Sequence, residues 1–220
     1  MSFSSLMTLV VACALCLSTS LGVLAAPSDG SEPHTEWGEN DASGSIQVLR
    51  MRAEGGSPSA QFILGQMLYQ GAHMERNLIE ARRWYRAAAE QGYVDAQFFL
   101  AIMHDNGEGG EANKEIAARW YRRAADHGHN GARVNLAVGY LRGEGVEQDD
   151  VEARSLLEEA SEQDDPRAYF GLALIYEEGR GVSVDLCRAI ELYRKSAELG
   201  FHRAIQYVNR LSNHTLCQGA

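Results

Sequence analysis

The chain has 220 residues, 45% of them hydrophobic and 23% charged, with a formal charge of −10. This is the composition of a globular protein that can bury a core, and an acidic chain without a basic run lacks the electrostatic footprint of a nucleic-acid or anionic-membrane binder. Gly is abundant at 22 residues and Pro scarce at 4, which points to many turns between short elements rather than to a disordered polymer.

The first 26 residues carry no charged side chain, and residues 6–17 (LMTLVVACALCL) are almost wholly apolar. A membrane-spanning helix needs about 20 apolar residues, so this run is too short, and small residues follow it in Val23-Leu24-Ala25-Ala26. Residues 1–25 are therefore expected to be a signal peptide cleaved after Ala25. The mature chain is then exported, periplasmic or secreted, with no membrane span. Val10-Val11-Ala12-Cys13 also fits a lipoprotein cleavage box loosely. Cleavage there would leave a very short apolar segment, so soluble export is preferred to a lipid anchor. Residues 26–44, rich in Gly, Ser, Glu and Asp, read as a flexible linker.

Beyond the linker the chain repeats itself. Ala60, Ala96, Ala132, Ala168 and Ala204 recur every 36 residues. With each Ala as offset zero, offset four is Leu64, Leu100, Leu136 and Leu172. Offset eleven is Gly71, Gly107, Gly143 and Gly179, and offset thirteen adds Gly109, Gly145 and Gly181. Asn77, Asn113, Asp149 and Asp185 stand at offset seventeen. Large pairs follow (Trp84-Tyr85, Trp120-Tyr121, Leu156-Leu157, Leu192-Tyr193), then small ones, then a closing Gly92, Gly128 or Gly200 whose place Asp164 takes once.

The physics of one unit follows from this frame. Offsets zero, four, seven and eight share one helix face, as apolar burial requires. Gly-x-Gly ends that helix and lets the chain reverse. The Asn or Asp then serves as N-cap of a second helix; Ser57-Pro58 and Asp165-Pro166 have the form of a cap followed by Pro at the first helical position. The expected elements are a capping helix in residues 45–59, units at 60–95, 96–131, 132–167 and 168–203, and a capping helix with a tail at 204–220. Half-units at both ends would hide the last apolar faces of the array.

The frames Ala-x-x-x-Leu-Gly, Gly-x-Gly and Trp-Tyr-x-x-Ala-Ala resemble the Sel-one-like repeat (SLR) family, relatives of tetratricopeptide repeats, over residues 46–212. The resemblance implies an all-α, right-handed α-α solenoid of four 36-residue helix-turn-helix repeats, and a non-catalytic scaffold that gathers protein partners on its concave face. A cysteine-rich bacterial branch of the family has been linked to penicillin binding, which keeps a β-lactamase-like or a peptidoglycan- or glycan-associated activity as the alternative. That branch has a disulfide in each repeat, whereas this chain has one possible bridge.

Of the four Cys, Cys13 and Cys16 leave with the signal, and Cys187 and Cys217 remain in a compartment that permits disulfides. In a stack the end of a first helix lies beside the start of the neighbouring second helix, so the two are expected to pair and pin the C-terminal cap. Closing about 30 residues stabilises by roughly 3 kcal/mol in the chain-entropy model.

His104, His127 and His129 are the nearest approach to a metal constellation, but Gly131 stands where His-x-His-x-Asp would need a carboxylate. His127 and His129 read instead as solvated turn residues, and the sequence implies no metal and no cofactor. Neither Lys114 nor Lys195 follows a Ser-x-x-Lys pattern, and no Gly-x-Ser-x-Gly elbow is present. The Gly-x-Gly pairs are turn chemistry, because they recur in the same place. Residues that match across units are core, so binding residues are sought among those that vary. On the first helices this selects Tyr69, Phe99, Ile102, Asp105, Leu141, Arg142 and Glu177 as partner-binding candidates. Val138 and Leu174, at the same offsets, are assigned to packing between repeats.

Overall fold

The computed structural model describes residues 39–212. The chain divides into two units, Met1–Ser45 and Ile46–Ala220. The proposed signal peptide and Cys217 lie outside the described residues. Helix α1 runs over Glu39–Glu54, so residues 39–44, read above as linker, are helical.

Four helix pairs follow: α2 (Pro58–Gln70) with α3 (Leu78–Glu90), α4 (Val94–Asn106) with α5 (Lys114–Asp126), α6 (Asn130–Arg142) with α7 (Asp150–Ser161), and α8 (Pro166–Glu178) with α9 (Leu186–Glu198). A final helix, α10 (Arg203–Ser212), packs on α9. From α2 to α10 each helix packs on the next in sequence. This is the α-α solenoid that the sequence frames imply.

The expected caps are in place. Asn77, Asn113, Asp149 and Asp185 each accept a backbone N–H from the first turn of the second helix. Ser57 and Asp165 do the same ahead of Pro58 and Pro166. The first helices end at Gly71, Gly107, Gly143 and Gly179, all left-handed with φ between 65° and 74°. One backbone bond then closes every turn. The N–H at offset seventeen donates to the carbonyl at offset eight: Asn77 to Leu68, Asn113 to His104, Asp149 to Tyr140 and Asp185 to Tyr176, at 2.8–3.1 Å.

The second glycine of the turn meets the previous repeat. A Cβ on Gly109 would lie 2.3 Å from the Leu78 carbonyl oxygen, and one on Gly145 would lie 2.1 Å from that of Lys114. Backbone therefore rests on backbone, and a side chain would push neighbouring repeats apart. His73 holds the same offset in the first repeat with φ of 60°. The rule can lapse there because no earlier repeat of the array has to be met.

Inside the stack the recurring Ala residues are buried, and aromatic rings fill the space between repeats. Phe99 of α4 stacks on Tyr85 of α3 at 5.5 Å between ring centres and meets Phe62 of α2 at 5.8 Å. At the far end Tyr207 of α10 lies 5.0 Å from Phe170 and 4.9 Å from Tyr193, so the capping helix closes the last aromatic face.

Gly145→Ala should lower stability by about 3 kcal/mol, combining left-handed strain with a backbone overlap. Gly128, with φ of 88° but no atom within 4 Å of an added Cβ, isolates the strain alone. Gly128→Ala should cost only about 1 kcal/mol. Urea unfolding curves of the two variants check the ranking, and equal losses would show that the inter-repeat contact is unimportant.

Candidate functional site

The partner-binding candidates chosen from variable offsets fall largely inside the molecule. Tyr69, Ile102 and Leu141 are buried, at 8%, 8% and 3% exposure. They are corrected here to core residues. Tyr69 and Leu141 stand at offset nine, which lies beside the second helix of its own repeat, and Ile102, at offset six, is buried as well. The rings of Tyr69 and Tyr85 are 6.4 Å apart, and the Tyr193 hydroxyl donates to Glu177 at 2.8 Å. In the third repeat Leu141 and Leu157, both buried, take the two positions. Phe99 is half-buried among the rings described above. Asp105 binds Lys114 at 2.7 Å, Arg142 lies 3.6 Å from Glu144, and Glu177 also pairs with Arg210. Burial and the neighbouring Glu177 push the Tyr193 hydroxyl well above its ordinary pKa.

His127 is exposed at its turn, as the solvated-turn reading has it, whereas His129 differs. His129 is the N-cap of α6: its Nδ1 accepts from the Ala132 N–H at 3.1 Å, and its ring stacks on Phe98 at 4.1 Å. An imidazole here does what Ser57 and Asp165 do in other repeats. His127 bonds the Arg123 carbonyl through Nδ1 at 2.7 Å. His104 is buried elsewhere, at 3% exposure. Among the described residues no three His, Cys, Asp or Glu side chains converge as metal ligands.

His104 stands at the centre of the most unusual charge arrangement in the structure. Its Nδ1 lies 2.5 Å from the Arg82 guanidinium. Burial, then Arg82, Arg86 and Arg119, push its pKa down to about 4. The ring is therefore neutral near pH 7, and the geometry assigns Nδ1 as acceptor for an Arg82 N–H. Arg82 passes directly over Gly110, where an added Cβ would lie 2.1 Å from its Nη1. Burial and Arg86 lower the pKa of Arg82 itself.

Helical spacing gathers further arginines around this point. Arg82, Arg83 and Arg86 share one side of α3, and Arg119, Arg122 and Arg123 share one side of α5. Arg83 and Arg119 are one repeat apart at the same offset, as are Arg86 and Arg122, so stacking sets them side by side. Arg83 lies over Trp84 and Arg123 over Trp120, each 4.9 Å from the ring centre. Arg122 bonds the Tyr140 hydroxyl and covers its ring. Among the described residues none of these six arginines forms an ion pair, whereas Arg133, Arg154, Arg167 and Arg180 all do. The basic face ends at α7, whose corresponding positions include Glu158 and Glu159.

Sequence reasoning missed this face because it looked for basic runs along the chain. The signal was present in the 36-residue frame, as Arg83 with Arg119 and Arg86 with Arg122.

The model of the Sel1 repeat matches the chain four times, over residues 58–93, 94–129, 131–165 and 166–201. The chain belongs to the Sel1 repeat family. Its structure is similar to that of a protective antigen of uropathogenic Escherichia coli with an SLR fold, at 36% identity and a TM-score of 0.73 over 82% of this chain. It is also similar to a Sel1 repeat protein from Oxalobacter formigenes, at 32% identity and a TM-score of 0.69 over 77% of this chain and 70% of that one. The Sel1 chain spans only 38% of the length of the E. coli antigen. No curated protein matches it. Among the described residues no helix is long and apolar enough to cross a membrane.

Folding holds His104 below its ordinary pKa, so the unfolded chain takes up this proton first as the pH falls. The stability carried by neutral His104 is complete above about pH 6.5 and is lost as the pH falls towards about 4. Replacing it by Asn should remove this part of the acid sensitivity. Urea midpoints of wild type and His104→Asn, compared near pH 7 and near pH 5, test this; an unchanged difference between the two pH values would refute it.

Proposed function

We propose that the mature protein is an exported, non-catalytic scaffold that gathers protein partners on its helical surface. The observation that carries this reading is the array of four Sel1 repeats. Stacked repeats bury the residues they share and leave outside those that differ, which makes an extended surface with a distinct side chain at each step. Sel1 repeats commonly serve protein interaction. Of the concave-face candidates, Phe99, Asp105, Arg142 and Glu177 keep partial access to solvent and remain its proposed contacts on the first helices.

Export is proposed from the N-terminal apolar segment, with periplasmic or secreted placement after cleavage at Ala25. Similarity to a protective antigen supports it, since such an antigen must be reachable by antibodies. In that compartment Cys187, in the first turn of α9, is proposed to pair with Cys217. A bridge there would hold α10 over the aromatic face of the last repeat.

Protein recovered from an exporting host should begin at Ala26 by N-terminal sequencing and contain no titratable thiol. Cys217→Ser should then lower stability by roughly 3 kcal/mol. Uncleaved protein inside the cell with all four thiols free would sink both the export and the bridge. Crosslinking the exported protein in place and identifying what it holds tests the scaffold function; recovery of uncoupled monomer alone counts against it.

A further inference from the structure

We propose that the basic face shared by α3 and α5 docks an acidic segment of a partner protein. The inference rests on the scaffold function above and gives it a surface and a partner chemistry. It also adds to the proposed first-helix contacts a surface on the second helices of the first two repeats.

The charge distribution is the first argument. The chain carries 30 acidic and 20 basic residues, so carboxylates are in excess, and a group of neighbouring arginines that none of them pairs with is notable. Six such arginines occur together, and five of them (Arg83, Arg86, Arg119, Arg122 and Arg123) are exposed. Like charges held close raise the energy of the free protein, and a carboxylate-rich partner relieves this. Beyond α5 the Sel1 array returns to internal ion pairs.

The second argument is preorganisation. Arg82 is held by a hydrogen bond to a buried imidazole and by the space that Gly110 leaves. A neutral His104 orients the guanidinium without neutralising it, as a carboxylate in that position would. Arg83 and Arg123 lie over Trp84 and Trp120, and Arg122 donates to the Tyr140 hydroxyl beside its ring. A planar guanidinium already resting on a ring or a hydroxyl loses less entropy when it binds a carboxylate in two-point fashion. Arg and Trp are also the side chains that dominate protein interfaces.

The third argument is size and sign. A net charge of −10 repels a polyanion as dense as nucleic acid, and the basic face covers only two helices. α3 and α5 both pack on the intervening α4, and an extended chain of polyproline II form returns every third side chain to one face, about 9 Å further along. The matching partner is an extended segment with acidic residues at about every third position.

The test is fluorescence anisotropy of the full-length protein with a labelled peptide of five Glu-Ser-Ser units. Saturable binding that weakens with salt is expected, together with about a tenfold loss in the triple variant R86Q/R119Q/R122Q. R188Q/R194Q/K195Q, which removes the same charge from α9, should stay within about twofold of wild type. Circular dichroism of both variants establishes that they are folded. The proposal is overturned if wild type shows no saturable binding or if both triple variants lose affinity equally. It is overturned too if a single-stranded DNA of equal charge binds more tightly than the peptide. If crosslinked partners are recovered undiminished with R86Q/R119Q/R122Q, the scaffold reading stands and this one falls.

Discussion

The spacing of this array depends on one contact: from the second repeat onward, the second glycine of the turn lies against the start of the previous repeat's second helix. At Gly109 and Gly145 the separation is set by backbone meeting backbone. A contact of that kind has no rotamers to adjust, so it determines how far each repeat stands from the next. The turn closure from offset seventeen to the carbonyl at offset eight fixes the two helices within a repeat in the same rigid way. In the fourth repeat the contact is looser, with an added Cβ on Gly181 lying 3.3 Å from Asp150, and an Arg180–Asp150 ion pair at 2.7 Å reinforces it.

With spacing set by backbone, side chains are free to specialise. Those that recur are buried between helices and contribute cohesion. Those that differ are exposed to different surroundings at each step, and this is where repeats of one design acquire distinct chemistry. The third repeat shows the principle inside the core as well. Leu141 and Leu157 occupy positions that the fourth repeat gives to Glu177 and Tyr193, so a polar pair and an apolar pair serve the same packing role.

The basic face is a product of the same spacing. No stretch of the chain is strongly basic, and the arginines come in groups of two or three separated by a full repeat. Stacking converts that long separation along the chain into adjacency between helices, with His104 of the intervening helix underneath. Neutral histidine suits this place because it accepts one N–H and adds no charge to a crowded positive site.

The sequence by itself determined the repeat, its period, the caps and the glycine-bearing turns. These are local matters, set by helical periodicity and by which residues tolerate a left-handed or capping conformation. It also indicated that the shared residues are core. It did not reveal which variable residues are outside, and so Tyr69, Ile102 and Leu141 read as surface when they are buried. Helical spacing gives a residue's direction around its own helix, but burial is decided by what the neighbouring helix places opposite. Only the tertiary structure could show that offset nine meets the second helix. Only it could show that His129 is a cap resting on Phe98, and that six distant arginines share one face.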